Sequence, residues 1–277
     1  MSWELRVGAV QMRAGGDLMT NLQTCGALTA EAAADGAQLV VLPECFAFLG
    51  RGEGDKLAIA ETLEHRTGPV MTMLRDLATK HGVWMIGGGT PEVVPGDAKR
   101  TYNTAVVIDP RGNLSARYRK IHLFDVDIPG GAVLKESDAT APGEDLVVID
   151  IAGAPVGLSI CYDVRFPELY RKLTKDMGAQ IVVVPAAFTA HTGAAHWHTL
   201  LRARAIEDQL WVVAPAQWGT HNDKRESFGH TLVIDPWGTI VGERADGDGV
   251  VVATLDSATI DKRRTQMPCL RHAVLWK

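Results

Sequence analysis

Gly36-Ala-Gln-Leu-Val-Val-Leu-Pro-Glu44 and Gly178-Ala-Gln-Ile-Val-Val-Val-Pro-Ala186 are nearly the same segment written twice in one chain. Each is a short apolar run between a glycine and a proline, which reads as a strand buried on both faces. A helical stretch follows in both places, and then another apolar strand, Val83 to Gly87 in one half and Leu210 to Ala214 in the other. A third element repeats: Val106-Val-Ile-Asp-Pro-Arg-Gly112 matches Leu232-Val-Ile-Asp-Pro-Trp-Gly238, each a strand closed by a Pro-containing turn. More weakly, Arg6 to Met12 resembles Pro155 to Cys161.

Strands alternating with helices predict an α/β domain. Two similar halves predict two mixed sheets packed face to face under outer helices, a four-layer α-β-β-α sandwich with an internal pseudo-two-fold repeat. A doubly wound single sheet is the alternative. Asp17 caps a helix that ends near Gly36, and Thr67 followed by Pro69 opens another with Val70, Met73, Leu74 and Leu77 on one face. No low-complexity linker divides the halves, so residues 1–277 are expected to form one domain. The tail 257–277, with Met267-Pro-Cys-Leu270 and Trp276, is apolar enough to pack on a partner subunit or to cover its own chain.

With 46% hydrophobic residues among 277, the chain can bury a large core. Its formal charge of -5 comes from interspersed acids and bases, which leaves no basic stripe for nucleic acid. The N-terminal residues lack the regions of a signal peptide, and no apolar run is long enough to span a bilayer. These features predict a cytoplasmic protein without a membrane partner. Cys25, Cys45, Cys161 and Cys269 are expected to stay reduced, and they lack the paired spacing of a zinc site.

Paired positions in a repeat share a structural job, so differences between them need another explanation. Glu44 faces Ala186, Lys120 faces Asp246 and, on the weaker match, Cys161 faces Met12. Cys161 lies where an apolar strand breaks into a turn ahead of Pro167, a geometry that presents a thiol near backbone N–H groups that favour the thiolate. Most lone cysteines are simply small buried hydrophobes. Glu44 emerges from a strand between apolar neighbours, where a desolvated carboxylate accepts a thiol proton more readily than an exposed one; otherwise it is a loop acid capping a helix. Lys120 is an ordinary solvated lysine by default, but a cation is needed where an oxyanion develops. His191, His196 and His198 invite a zinc reading, yet no cysteine or acid joins them in a known pattern, so no metal is expected. Gly87-Gly-Gly89 lacks the lysine and spacing of a phosphate loop.

Leu42-Pro-Glu44, Tyr118-Arg-Lys120 and Cys161-Tyr-Asp-Val-Arg-Phe-Pro-Glu168, in that order, resemble the nitrilase superfamily of carbon–nitrogen hydrolases, and the resemblance extends over nearly the whole chain. It implies the sandwich fold, usually dimerised, and a catalytic triad of Glu44, Lys120 and Cys161. Glu136 matches a second active-site glutamate. The implied reaction is hydrolysis of a linear amide through a thioester, with no metal or organic cofactor. The backbone N–H of Tyr162 would join Lys120 at the oxyanion. Arg165 would pair with a substrate carboxylate, or else with Asp163 or Glu168.

Phe188-Thr-Ala-His-Thr-Gly193, His196-Trp197, Leu201-Arg-Ala-Arg-Ala-Ile-Glu207 and Gln217-Trp-Gly-Thr-His221, with Arg225, Ser227, Gly229 and His230, resemble the Nit1-type branch. That branch is associated with deaminated glutathione, and the related Nit2-type branch with ω-amides of 2-oxo acids. Phe188 and Thr189 are expected to contact substrate on this resemblance. His198 stands where the pattern has Glu. A nitrilase or N-carbamoyl hydrolase on the same triad, and a non-catalytic binding protein with this fold, are the competing readings.

Overall fold

The computed structural model describes residues 2–64, 68–127 and 133–275. The first half runs β1 (Glu4–Gln11), α1 (Leu18–Ala34), β2 (Leu39–Leu42), α2 (Pro69–His81), β3 (Trp84–Val93), β4 (Thr101–Ile108) and β5 (Leu114–Arg119). A crossing segment carries β6 (Asp125–Asp127), β7 (Val133–Lys135) and β8 (Thr140–Ala141). The strand β9 (Val148–Ile151) closes the first half, and the second repeats the order with β10 (Ala154–Leu158), α3 (Pro167–Lys175), β11 (Ile181–Val183), α4 (Ala190–Asp208) and β12 (Trp211–Ala214). It continues through a hairpin of β13 (Trp218–Asn222) and β14 (Arg225–Phe228) to β15 (Thr231–Ile234), β16 (Ile240–Arg244) and β17 (Gly249–Asp256). Two helices follow, α5 (Ser257–Gln266) and α6 (Cys269–His272).

Local chemistry sets the helix ends. Asp17 caps α1 by accepting the Thr20 N–H at 2.8 Å. Helix α2 starts at Pro69 with Gly68 as its N-cap, and Thr67 lies outside the described residues. Its buried face is wider than the expected stripe: Met71, Arg75 and Ala78 join Val70, Leu74 and Leu77, while Met73 is half-buried. The reason is that α2 packs on α1 as well as on β3 and β4.

The strands form two mixed sheets of the same order, β17-β1-β2-β3-β4-β5 and β9-β10-β11-β12-β15-β16, with β8 added beside β4. Their registers also coincide. Val7 pairs with Leu39 as Val156 pairs with Ile181, and Leu39 with Trp84 as Ile181 with Trp211. The repeated turns are built alike: Asp109 accepts the N–H groups of Arg111 and Asn113, and Asp235 those of Trp237 and Thr239. Gly112 and Gly238 complete them at φ 81° and 82°, a left-handed conformation that glycine adopts without steric cost.

Each half gives its last strand to the other sheet. β9, which follows the first half in sequence, pairs antiparallel with β10, and β17, which ends the second half, pairs antiparallel with β1. Neither sheet is complete without the other half.

Side-chain alternation separates the layers. Leu5, Val7, Ala9, Leu39, Val41, Ile86 and Val107 share a core with the second sheet, whereas Val10, Val40, Leu42, Met85 and Val106 pack with Leu22 and Leu28 of α1 and Leu74 of α2. Leu169 and Leu173 of α3 and Trp197 and Leu201 of α4 bring the second pair of helices into the larger core. This is the α-β-β-α arrangement rather than one doubly wound sheet. The described part of the tail leans on its own chain, with the Gln209 amide donating to Met267 O at 2.7 Å and Ile260 buried, while Val274 and Leu275 are exposed and Trp276 lies outside the described residues. No helix among the described residues is long and apolar enough to cross a membrane.

The halves meet closely at Gly88 of β3, where an added Cβ would lie 2.2 Å from Pro185 Cβ and 2.5 Å from the Leu42 carbonyl oxygen. Gly88→Ala is therefore expected to destabilise the protein by at least about 2 kcal/mol, as overpacking of a filled core does. Gly54→Ala, whose added methyl meets nothing within 4 Å, should leave the midpoint unchanged in parallel urea unfolding curves.

Candidate active site

Glu44, Lys120 and Cys161 arrive at the same end of the sandwich from β2, β5 and β10. Continuing the shared register from Val7 and Val156 sets Met12 against Cys161, so the weakest sequence match is fixed by the strand ladders. Cys161 heads a 3-10 turn, Cys161–Arg165, with φ 47°, a conformation that costs a non-glycine residue on the order of 1 kcal/mol or more. Its N–H donates to Pro185 O at 2.9 Å, and the turn is locked behind it by Asp163. The fully buried Asp163 carboxylate accepts from Tyr118 Oη at 2.7 Å and from the Ile160 N–H at 2.8 Å, and His122 Nδ1 lies 2.7 Å away. One carboxylate thus ties the Lys120 loop to the cysteine turn.

Lys120 Nζ donates to Glu44 Oε1 at 3.0 Å and to Glu136 Oε2 at 2.9 Å. Asn103 Nδ2 bridges the same acids, at 2.9 Å from Glu44 Oε1 and 3.1 Å from Glu136 Oε1. The Ala187 N–H reaches Glu44 Oε2 at 2.9 Å and the Phe124 N–H reaches Glu136 Oε2 at 2.7 Å. The relative exposures are 2% for Lys120, 4% for Glu44, 6% for Glu136 and 8% for Cys161, so these contacts are made in a dry site.

Burial opposes the Lys120 ammonium, but Glu136 and then Glu44 outweigh it and hold the group protonated, well above its ordinary range. Burial likewise opposes ionisation of Glu136, and the Lys120 and Lys56 cations reverse this to keep its carboxyl below the usual range. Cys161 goes the other way. Burial, and then the negative charge of the Glu44 carboxylate, push the thiol well above its ordinary value despite Lys120. Desolvation and the adjacent acid thus outweigh the nearby N–H groups and favour a neutral resting thiol, with Glu44 in the same cavity wall to take its proton.

These groups open onto a cavity of about 270 Å³ lined also by Asn103, Phe124, Leu134, Thr189 and His191, with Lys56, Lys224 and Arg225 among the charged residues of its wall. Of the expected substrate contacts, Glu136 and Thr189 line the cavity. Tyr162, Arg165 and Phe188 do not line the cavity. The Tyr162 ring packs edge-on against Phe124 at 4.9 Å, and Phe188 is buried against Trp197, also at 4.9 Å. Arg165 has no carboxylate partner among the described residues; its guanidinium lies 5.0 Å from the Phe188 ring and 5.7 Å from that of Tyr162, with His196 Nδ1 at 3.3 Å from Nη1. The alternation of buried and half-buried positions after β11 turns Phe188 into the core and Thr189 toward the cavity.

Asn103 is the bridging residue that the sequence reading missed. It faces Gly229 when the repeated turn blocks are superposed, so the same half-to-half comparison held the signal. Cys45 also lines the cavity, but burial and then the adjacent Glu44 raise its thiol to about 12. His191 lines the cavity, His196 meets Arg165 and His198 meets Glu243, so the three histidines do not converge.

The family model for carbon-nitrogen hydrolases matches residues 6–265. The chain belongs to that family. This carbon–nitrogen hydrolase is 44% identical over 268 residues to the deaminated glutathione amidase of Synechocystis sp. (strain PCC 6803 / GT-S), covering 96% of this chain and 97% of that one. It is 41% identical over 275 residues to the deaminated glutathione amidase of Homo sapiens, covering 98% of this chain and 83% of that one. The crystal structure of the C. elegans NitFhit protein superposes with a TM-score of 0.91 at 39% identity, over 99% of this chain and 66% of that longer one. Saccharomyces cerevisiae Nit3, a member of branch 10 of the nitrilase superfamily, superposes at 0.85 with 32% identity, over 96% of this chain and 94% of that one.

Because the folded-state pKa of Glu136 lies below its unfolded value, its ionic contacts contribute fully above the unfolded value of about 4.3 and are lost as pH falls through the lower folded value. Glu136→Gln is expected to lose on the order of 1–3 kcal/mol at neutral pH and to flatten the fall in stability between about pH 5 and 2. Urea denaturation across that range measures both effects.

Proposed function

We propose that this carbon–nitrogen hydrolase cleaves the linear amide of deaminated glutathione through a thioester on Cys161. The observation that carries the reading is that Cys161 and the Glu44 carboxylate, itself anchored by Lys120, line one dry cavity. Glu44 takes the thiol proton as sulfur bonds to the amide carbon, and the carbonyl electron pair moves to oxygen. An ammonium has three N–H donors, and two of those on Lys120 are engaged by Glu44 and Glu136. The third serves the oxyanion together with the Tyr162 N–H, which stands at the head of the 3-10 turn where N–H groups lack helical partners. Collapse of the adduct expels the amine, which takes the proton from Glu44. Water activated by Glu44 or Glu136 then cleaves the thioester, so the cycle uses no metal or organic cofactor.

The name of the Synechocystis and human relatives supports this substrate. Lys224 and His191 in the cavity wall, beside Lys56 and Arg225, which both pair with Glu53 there, suit a carboxylate-bearing acyl or leaving group. They suit an ω-amide of a 2-oxo acid as well, which is the second reading. His198 does not line the cavity and so does not weigh on this choice. The same proposal takes residues 1–277 as one domain, supported by the exchanged strands, working as a homodimer or higher homo-oligomer in the cytoplasm.

Cys161→Ala should remain folded and lose all turnover, and Glu44→Gln should lose about 10²- to 10⁴-fold in kcat. Brief exposure of the parent to substrate should add the acyl mass to the peptide containing Cys161. A panel of deaminated glutathione, 2-oxoglutaramate, simple aliphatic amides, N-carbamoyl acids and nitriles tests the substrate. Greatest kcat/KM on deaminated glutathione is expected; inactivity on both oxo-acid amides would refute the assignment, and turnover retained in Cys161→Ala would refute the mechanism.

A further inference from the structure

Outside the catalytic cavity, His198, His230 and Glu243 meet from three separate elements: α4, the segment between β14 and β15, and the edge strand β16. Glu243 Oε1 lies 2.9 Å from His198 Nε2 and 2.7 Å from His230 Nδ1, and the donor atoms of all three residues lie within 4.8 Å of one another. Tetrahedral ligands at about 2.1 Å from a zinc ion stand roughly 3.4 Å apart, so a small adjustment of the two rings around the carboxylate would satisfy that geometry.

The cluster is held in place before any ion arrives. The Phe228 ring stacks on His230 at 4.2 Å and meets His198 edge-on at 6.0 Å. His230 itself is pinned on both sides of its backbone, its N–H donating to Ala245 O at 3.1 Å and its carbonyl accepting from Trp197 Nε1 at 2.8 Å. It sits at φ 56°, a left-handed conformation in which histidine is enriched among non-glycine residues.

We propose that His198 Nε2, His230 Nδ1 and a Glu243 carboxylate oxygen form a binding site for a borderline divalent transition-metal ion, zinc foremost. Two imidazoles and one carboxylate are a donor set that zinc favours over magnesium or calcium, which prefer all-oxygen sites. The ion takes the place of the protons now shared between the rings and Glu243. Three protein ligands leave a further position for water or an outside donor. Bound there, the ion ties α4 to the edge strand and to the hairpin whose Ser227 lines the catalytic cavity. The acid stands far along the chain from His198, which is why the histidine spacing alone gave no metal pattern.

The test is equilibrium dialysis of the full chain against zinc at neutral pH, in a Cys161→Ala background that removes the reactive thiol. His198→Gln, His230→Asn and Glu243→Gln are dialysed beside it; asparagine tolerates the left-handed backbone at 230. Binding of about one equivalent in the background protein, with at least a tenfold weaker affinity in every variant that shows a native circular-dichroism spectrum, is the expected result. The cobalt form should show visible bands without thiolate charge transfer, which separates this site from the cysteines. No stoichiometric binding in the background protein, equal binding in a folded variant, or a thiolate spectrum overturns the proposal. If none of the three variants folds, the cobalt spectrum of the background protein decides it alone.

Discussion

The Lys120 ammonium, almost wholly out of water and bonded to both Glu44 and Glu136, is the contact on which the site depends. Taking three charges into a dry interior costs several kcal/mol per ion unless the geometry returns it. Here the return is nearly complete: the carboxylate oxygens of the two acids accept from Lys120, Asn103, Ala187 and Phe124. Those donors come from three separate stretches of chain, around Asn103, Lys120 to Phe124, and Ala187, so the packing of both halves must be right before the charges are tolerable. Two acids against one cation also leave the site net negative. Burial first, and then that excess, disfavour a thiolate at rest, so that it forms only as its proton passes to Glu44.

A neutral resting thiol has a further consequence. Oxidation and alkylation run through the thiolate, so burial beside an anion shields the nucleophile until a substrate carbonyl arrives to accept its electrons. Reactivity then resides in the contact between Cys161 and Glu44 rather than in the cysteine alone.

Much of the fold was legible because the sequence repeats itself. The duplicated runs at Gly36 and Gly178 and the Asp-Pro turns at Asp109 and Asp235 predict two sheets of equal order, and the strand ladders reproduce that order residue for residue. Glu44 and Lys120 stood out as departures from the repeat, and Asn103 against Gly229 was an unread departure of the same kind. What was not legible comes from parts of the chain without a counterpart. The crossing segment that carries Glu136 and the 3-10 segment Glu53–Ile59 that brings Lys56 to the cavity have no equivalent in the other half. The ring contacts of Arg165 and the meeting of His198 with Glu243 are long-range packing outcomes that no local spacing encodes. The ionisation of Cys161 is a balance of burial against N–H donors, and sequence revealed only the donors.

The ionisation state of Cys161 tests this account most directly. Ultraviolet thiolate absorbance is followed from about pH 6 to 9, the range spanning an ordinary thiol pKa near 8.5, for the parent protein and for Cys161→Ser. The account predicts that the difference between the two shows no titration step over that range, while Glu44→Gln lowers the thiol's pKa and brings a step into view. A step with a midpoint near neutrality in the parent protein would mean that a preformed thiolate attacks, and would contradict the assignment of Glu44 as the base.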